Sequence, residues 1–390
     1  MNKFDIIKNR DKEYVAGTYN RNDIGIEKGQ GAICYDYDGK EYIDFTSGIG
    51  VNSLGYSNDG WMEAVNAQLH KVQHTSNLFF TEPATLVAEK MCERTGMKKM
   101  FFSNSGAEAN EGAIKTVRKY SLEKYGIARH EIITLKNSFH GRTMATITAT
   151  GQATFHKYFN PLLDGFVYID PNDISQLITA VTQNTCAIMI ELIQGEGGVN
   201  VLEQDFVNEI ANICEDKDIL LIVDEVQTGM GRTGRFMACE HYGLTPDIMT
   251  VAKGLGGGLP IGGILFGEKT ENALSHGDHG STFGGNPAVC AGANYILDCM
   301  DSVFLNEVEQ KGQLLMEKLA EIDEVKSVSG KGLMIGVDLE NKEPAEIVKK
   351  CAENGLLILT AKDKLRLLPP LTITQKELLK GLQILQFAVM

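Results

Sequence analysis

Three apolar runs in this 390-residue chain end in residues that could do chemistry. Ile219-Leu220-Leu221-Ile222-Val223 is followed by Asp224-Glu225-Val226-Gln227-Thr228-Gly229. Ile248-Met249-Thr250-Val251 is followed by Ala252-Lys253 and a glycine-rich stretch, Gly254 to Gly258. Met100-Phe101-Phe102 is followed by Ser103-Asn104-Ser105-Gly106-Ala107-Glu108. Each ending has a plain structural explanation when taken alone. Asp224 could cap a helix, Lys253 could be a solvated lysine, and Ser105-Gly106 could be an ordinary N-cap. Together they fit one chemistry that uses every part. Pyridoxal phosphate needs a lysine for its Schiff base, an anion beside its protonated ring nitrogen, and donors for its phosphate. Lys253, Asp224 and the turn Ser105-Gly106-Ala107 would supply these in that order. The turn opens a helix, where the backbone dipole favours phosphate. Neither a G-x-x-x-x-G-K-[ST] motif nor a G-x-G-x-x-G after the first strand occurs, so the P-loop and dinucleotide readings have nothing to stand on.

These residues can act together only if their strands bring them to one edge. The runs are apolar without alternation, the pattern of strands buried on both faces of a parallel sheet. Cys186 to Leu192 is a fourth such run. Helical stripes separate them: Ala109, Ala113, Val117 and Tyr120 on one face, then Phe206, Ile210 and Ile213. Strands alternating with helices predict a parallel sheet with right-handed crossovers and a ligand beyond the carboxyl ends of its strands. The C-terminal part has another texture. Leu333 to Leu339 alternates like a strand, and a helix is expected over roughly 345–352, with Gly355 at its C′ position. An apolar run follows over Leu356 to Leu359, then Leu365-Arg366-Leu367-Leu368-Pro369-Pro370, and Thr374-x-x-Glu377 opens a last helix with capping-box spacing. Near the start, Cys34 to Ile43 reads as a hairpin turning at Asp38-Gly39. It is expected to pack on the C-terminal part.

Composition sets the outer limits. Lys and Arg number 37 against 51 Asp and Glu, a formal charge of −14, which argues against a nucleic-acid binder. No apolar run approaches the ~20 residues that cross a bilayer. Met1 to Arg10 has no apolar core of a secretory signal. Eight cysteines (34, 92, 186, 214, 239, 290, 299, 351) are scattered without a C-x-x-C pair, so neither a disulfide framework nor a zinc site is expected. The expectation is a cytoplasmic protein without metal, membrane or nucleic-acid partners.

Six blocks, in order, carry a resemblance that covers about residues 35–370. They are Ser103-Asn104-Ser105-Gly106-Ala107-Glu108-Ala109-Asn110, Phe139-His140-Gly141-Arg142-Thr143, Gln194-Gly195-Glu196-Gly197-Gly198, Asp224-Glu225-Val226-Gln227-Thr228-Gly229, Ala252-Lys253, and Ser281-Thr282-Phe283-Gly284-Gly285-Asn286-Pro287. In these the chain resembles the class III (ω-amino acid) aminotransferases of pyridoxal-phosphate fold type I. The resemblance implies an α/β fold. A large domain over 51–290 would hold a mostly parallel seven-stranded sheet between helices, and a small α+β domain would be built from 1–50 and 291–390. It implies that Lys253 and Asp224 are catalytic, and that Phe139 and Val226 press on the two faces of the pyridoxal ring. Gln227 would reach the ring hydroxyl. Ser105, Gly106 and Ala107 would bind the phosphate, and Thr282 would reach the phosphate of a neighbouring subunit, making a homodimer with shared sites. For substrates it implies Arg142 on an α-carboxylate, Ser281 nearby, Arg366 on the α-carboxylate of glutamate, and Glu196 as the partner that masks Arg366. Guanidinium suits both clamps because its fork binds a carboxylate bidentately.

The length, Ser76-Asn77-Leu78-Phe79 and Met230-Gly231-Arg232-Thr233-Gly234 narrow the resemblance to members that move the δ-amino group of N²-acetylornithine to 2-oxoglutarate, in arginine synthesis. Succinylornithine, N-succinyl-diaminopimelate and 4-aminobutyrate are the rival substrates. A non-catalytic regulatory module with the same fold is the rival of another class. Two segments depart from the family's usual pattern. Leu192 replaces a proline in Glu191-Leu192-Ile193-Gln194-Gly195-Glu196, and Gly55-Tyr56-Ser57-Asn58-Asp59 replaces Gly-His-x-His-Pro. Ile49 stands where enzymes of free ornithine carry a tyrosine, and its apolar side chain suits an acylated substrate.

Overall fold

The structure is a computed structural model and describes residues 2–390. Its centre is a seven-stranded sheet in the order Lys99–Ser103, Gly262–Phe266, Ile248–Val251, Leu220–Asp224, Thr185–Ile190, Glu131–Leu135, Phe166–Ile169. Gly262–Phe266 runs antiparallel to both neighbours, and the other pairs are parallel. The three central strands, Ile248–Val251, Leu220–Asp224 and Thr185–Ile190, are buried at every residue. That burial on both faces is what their unbroken apolar runs require. One face is covered by the helix Gly106–Tyr125, whose Ala109, Ala113 and Val117 are fully buried. The helix Gln204–Asp216 packs on the strands Leu220–Asp224 and Thr185–Ile190 through Phe206, Ile210 and Ile213.

Three of the seven strands, Glu131–Leu135, Phe166–Ile169 and Gly262–Phe266, have no counterpart among the apolar runs read from the chain. Their segments are short, interrupted by Thr134, Tyr168 or glycines, and owe their strand state to their neighbours. The expected run 356–359 also divides. Leu356–Leu357 pairs in parallel with Glu41–Asp44, whereas Leu359–Ala361 joins a separate antiparallel sheet with Lys364–Leu367, Met334–Leu339 and Val325–Lys331. Ile358 lies between the two sheets, so four successive apolar residues serve two surfaces. The pairing of Leu356 with Ile43 joins the N-terminal hairpin to the C-terminal part.

The helix Pro344–Glu353 stops before Gly355, which adopts φ +86°, and the final helix Gln375–Val389 has the Thr374/Glu377 capping box. The helix Pro287–Cys299 packs on Asp59–Leu69 and Glu82–Thr95 rather than on the C-terminal sheet. Asn294 Nδ2 fixes it by donating to the Pro83 carbonyl at 2.9 Å. No single helix among the described residues is long and apolar enough to cross a membrane.

Candidate active site

At the carboxyl edge of the central strands lies a cavity of about 430 Å³. Ser105, Gly106, Ala107, Phe139, Arg142, Asp224, Val226, Gln227 and Lys253 all line it. Nine residues from four separate stretches of chain therefore meet in one place. Asp224 ends its strand and is 4% exposed. It caps no helix. Its Oδ1 accepts from the Val226 amide at 3.0 Å, and its Oδ2 accepts from Asn110 Nδ2 at 2.7 Å. His140 Nδ1 lies 2.8 Å from the same Oδ2. Asn110 is itself oriented by Thr250, whose hydroxyl donates to Asn110 Oδ1 at 2.7 Å. A buried carboxylate held by this many partners has a fixed position and a fixed direction.

Lys253 follows the next strand and opens a single 3₁₀ turn with φ +41°. A non-glycine residue in this region is uncommon and points to a constrained site. Burial lowers its ammonium from the ordinary value to about 8. Glu196, Asp224 and Glu191 oppose that shift, and the Arg366 cation adds to it.

The helix Gly106–Tyr125 begins at the cavity wall. The Ser105 hydroxyl accepts from the Glu108 amide at 3.2 Å, and the Ser105 carbonyl takes the Ala109 amide. The amides of Gly106 and Ala107 have no partner among the described residues, so the helix presents donors together with the positive end of its dipole. Gly106 has a steric reason as well. A Cβ there would stand 2.6 Å from Val226 Cγ1, so glycine lets Val226 reach the cavity beside the helix start.

Glu196 sits in the turn of a small ribbon formed by Ile193–Gln194 and Asn200–Val201. It meets Arg366, from the strand Lys364–Leu367, with Oε1 2.7 Å from Nη1. Arg366 is 3% exposed, and its Nε has no partner. Burial pushes the Glu196 carboxyl up, but the Arg366 charge and hydrogen bond outweigh it and the net shift is downward. Gln227 Oε1 accepts from the same Nη1 at 3.3 Å, so Gln227 also belongs to this pair. Arg142 is exposed and makes no ion pair among the described residues. Its guanidinium carbon lies over the rings of Phe155 and Phe139, at 4.1 and 5.6 Å from their centres.

Ser281 and Thr282 are not brought to this cavity. They line a second one beside Asn104 and Glu108, and the Ser281 hydroxyl is engaged by the Asn104 side chain at 3.0 Å and the Gly284 amide at 2.9 Å. Within one chain Ser281 fixes its own loop, and Thr282 is exposed. Ile49, at φ +64°, does not line the main cavity, whereas Val51 does.

Reading the sequence missed Asn110 and His140, although both stand in quoted blocks, because nothing local points them at Asp224. It also missed Glu191, which is 5% exposed and accepts from the Phe139 amide at 2.9 Å. Burial, aided by Asp224, pushes the Glu191 carboxyl up to about 7 against the opposing pull of His140, the Phe139 amide and Lys253.

The model of the class III aminotransferases matches residues 14–389. The chain is similar to the acetylornithine aminotransferase of Haemophilus ducreyi, at 52% identity over 383 residues covering 98% of both chains. It is also similar to that of Methanocaldococcus jannaschii, at 47% identity covering 94% of this chain and 93% of the other. The crystal structure of N-acetylornithine aminotransferase from Stenotrophomonas maltophilia superposes with a TM-score of 0.84 at 35% identity, covering 97% of both chains. An ornithine aminotransferase from Toxoplasma gondii, with pyridoxal phosphate partially occupying its active site, superposes at 0.93 with 32% identity over 99% of this chain and 94% of the other. The residues here fit that group: a fixed carboxylate, a desolvated amine, and a helix start kept open by Gly106, all on one cavity. The chain belongs to the class III aminotransferase family, with the type I fold of pyridoxal-phosphate enzymes, and pyridoxal phosphate is its cofactor.

Proposed function

We propose that the chain transfers the δ-amino group of N²-acetylornithine to 2-oxoglutarate, giving N-acetylglutamate 5-semialdehyde and glutamate, as a step of arginine synthesis. The observation that carries this reading is the unequal treatment of two arginines at one site. Arg366 is masked by Glu196 at 2.7 Å, whereas Arg142 has no acidic partner among the described residues. An ω-aminotransferase needs that asymmetry. Its first substrate offers a terminal amine and a distant α-carboxylate, which Arg142 can take. Its second, glutamate or its keto acid, brings a carboxylate next to the reacting carbon, which needs Arg366 bare. Glu196 on a ribbon turn can leave Arg366 when that carboxylate arrives, since the replacement restores the same charge balance. Names of relatives support the acetylated substrate, and so does the apolar Val51 on the cavity wall.

Pyridoxal phosphate, when bound, carries the amino group between the two substrates and makes the adjacent carbon acidic. The chain's residues do the rest. Lys253 would hold the cofactor covalently, and its Nζ, once a free amine, would take and return the proton of that carbon. An ammonium lowered to about 8 suits a group that must be neutral to accept a proton near neutral pH. Asp224, aimed by Asn110 and flanked by His140, supplies the negative charge for a protonated ring nitrogen. Ser105 and the amides of Gly106 and Ala107 would hold the phosphate, and Phe139 and Val226, which line the same cavity, would flank the ring.

The site is completed in a homodimer, in which Thr282 and Ser281 of one copy serve the other. The exposed cluster of Leu78, Phe79, Phe80 and Phe283, at 60% exposure or more, supports a covering partner. We place the boundary between large and small domains near 300 rather than 290, because the helix Pro287–Cys299 packs on 59–95. Residues 1–50 and the C-terminal part then form the small domain, and eight free cysteines support a cytoplasmic location. A panel of ω-amines against 2-oxoglutarate tests the substrate. N²-acetylornithine should give the highest kcat/KM. A higher value for succinylornithine, N-succinyl-diaminopimelate or 4-aminobutyrate overturns the assignment.

A further inference from the structure

Phe155 belongs to no motif. It lies on a four-residue helical turn, Ala153–His156, beyond the strands that build the cavity. Its ring centre is 4.1 Å from the Arg142 guanidinium carbon. The same ring meets Phe139 edge-on, at 5.6 Å between centres and 75° between planes. Arg142, Phe139 and Phe155 therefore form a three-way contact. Its members are the exposed cation, the ring that lines the cofactor cavity, and a third ring with no role so far.

The chemistry of that contact differs from the one that holds Arg366. A carboxylate holds a guanidinium through its in-plane N–H donors, so Arg366 stands with donors engaged by Glu196 and Gln227. An aromatic face attracts the cation through its quadrupole and uses no donor. The planar fork of Arg142 remains whole for an incoming carboxylate. An arginine without any holder would have to lose rotamer freedom on binding, and that loss would weaken the complex.

We propose that Phe155 is a positioning residue for Arg142, fixing the guanidinium by its ring face so that the fork is ready for the α-carboxylate of the amino donor. This rests on Arg142 being the α-carboxylate clamp. Phe155 would also let the clamp and the Phe139 ring keep a set separation, because it touches both.

The test uses the holoenzyme with saturating 2-oxoglutarate and two amino donors: N²-acetylornithine, and N-acetylputrescine, which is the same molecule without the carboxylate. Phe155→Leu and Phe155→Met each fill space without an aromatic face, so one suffices if the other does not fold. Phe155→Tyr keeps the face. The Leu and Met variants should raise KM for N²-acetylornithine about threefold to tenfold, with little change in kcat. Their kcat/KM for N-acetylputrescine should stay at the wild-type value, and Phe155→Tyr should restore the KM. Equal losses on both donors, or a tyrosine that fails to rescue, overturn the proposal and leave Phe155 as packing. Arg142→Ala separates the two levels. If Arg142→Ala weakens both donors equally, the clamp reading itself is wrong. If it is selective for N²-acetylornithine while Phe155→Leu is not, the clamp stands and the role of Phe155 falls.

Discussion

Glu196 and Arg366 face each other at 2.7 Å, and each changes what the other can do. Removing the carboxylate leaves a nearly buried cation with capacity for a substrate. Glu196→Ala should therefore raise the rate of the glutamate half-reaction relative to the N²-acetylornithine half-reaction by about tenfold or more, the worth of a charge-assisted hydrogen bond. Arg366→Ala should do the reverse, slowing the glutamate half-reaction about a hundredfold while sparing the other. Stopped-flow spectroscopy of each half-reaction reads both, and equal slowing of the two would reject the switch. Lys253 carries the second consequence at this scale. Its lowered value means it sheds its proton at a pH where surface lysines still hold theirs. In cofactor-free protein, labelling of Lys253 by an amine-directed reagent should rise with pH and reach half its plateau near pH 8. Peptide mapping separates it from other lysines, and a half-plateau above about 10, the ordinary lysine range, would contradict the desolvated site.

Elements matter here chiefly through their ends. The helix Gly106–Tyr125 buries a face that includes Ala109, Ala113, Ile114 and Val117, and its first turn opens on the cavity. Val226, from the loop after the neighbouring strand, comes so close that only glycine fits at 106. Gly106→Ala should force Val226 away at a cost of about 1–3 kcal/mol, as overpacking does. The expected readout is a lower melting temperature together with faster loss of pyridoxal phosphate on dialysis. Unchanged cofactor retention would mean that the contact has no part in the site. Gly195 also lets the ribbon approach Gln227, since a Cβ there would lie 2.2 Å from Gln227 Oε1. That neighbour, however, is the end of a flexible side chain and can yield more easily than Val226. Both glycines keep loops of different strands within reach of one another, and neither needs a positive φ to do so.

At the scale of the whole molecule, Thr282 is exposed beside a second cavity rather than in the main one. The exposed Leu78, Phe79, Phe80 and Phe283 are costly in water unless covered. If a second copy covers them and brings its Thr282 hydroxyl to the phosphate, Thr282→Ala should weaken cofactor retention about tenfold, the worth of one charge-assisted hydrogen bond. The variant should remain a dimer. Sedimentation at falling concentration, with activity measured in parallel, decides it. A dilute monomer with full activity would mean that each chain is complete alone.

The amino-acid order by itself determined the local signals: central strands as unbroken apolar runs, the stripes at 109–117 and 206–213, the caps at Ser105 and Thr374, and the chemistry waiting at each run's end. These are legible because burial on both faces, helical period and capping act within a few residues. Ordered blocks then made the family and its cofactor readable. Tertiary structure alone decided who meets whom. Asn110 and His140 reach Asp224 across 114 and 84 residues, and Arg366 reaches Glu196 across 170. No local periodicity encodes such pairings, which follow from strand order and crossovers. Strands 131–135, 166–169 and 262–266 were illegible for the same reason, their segments being too short and mixed to declare themselves without neighbours. Phe155 is a further case: an aromatic outside every motif, brought against the Arg142 guanidinium only by the path of the chain between them.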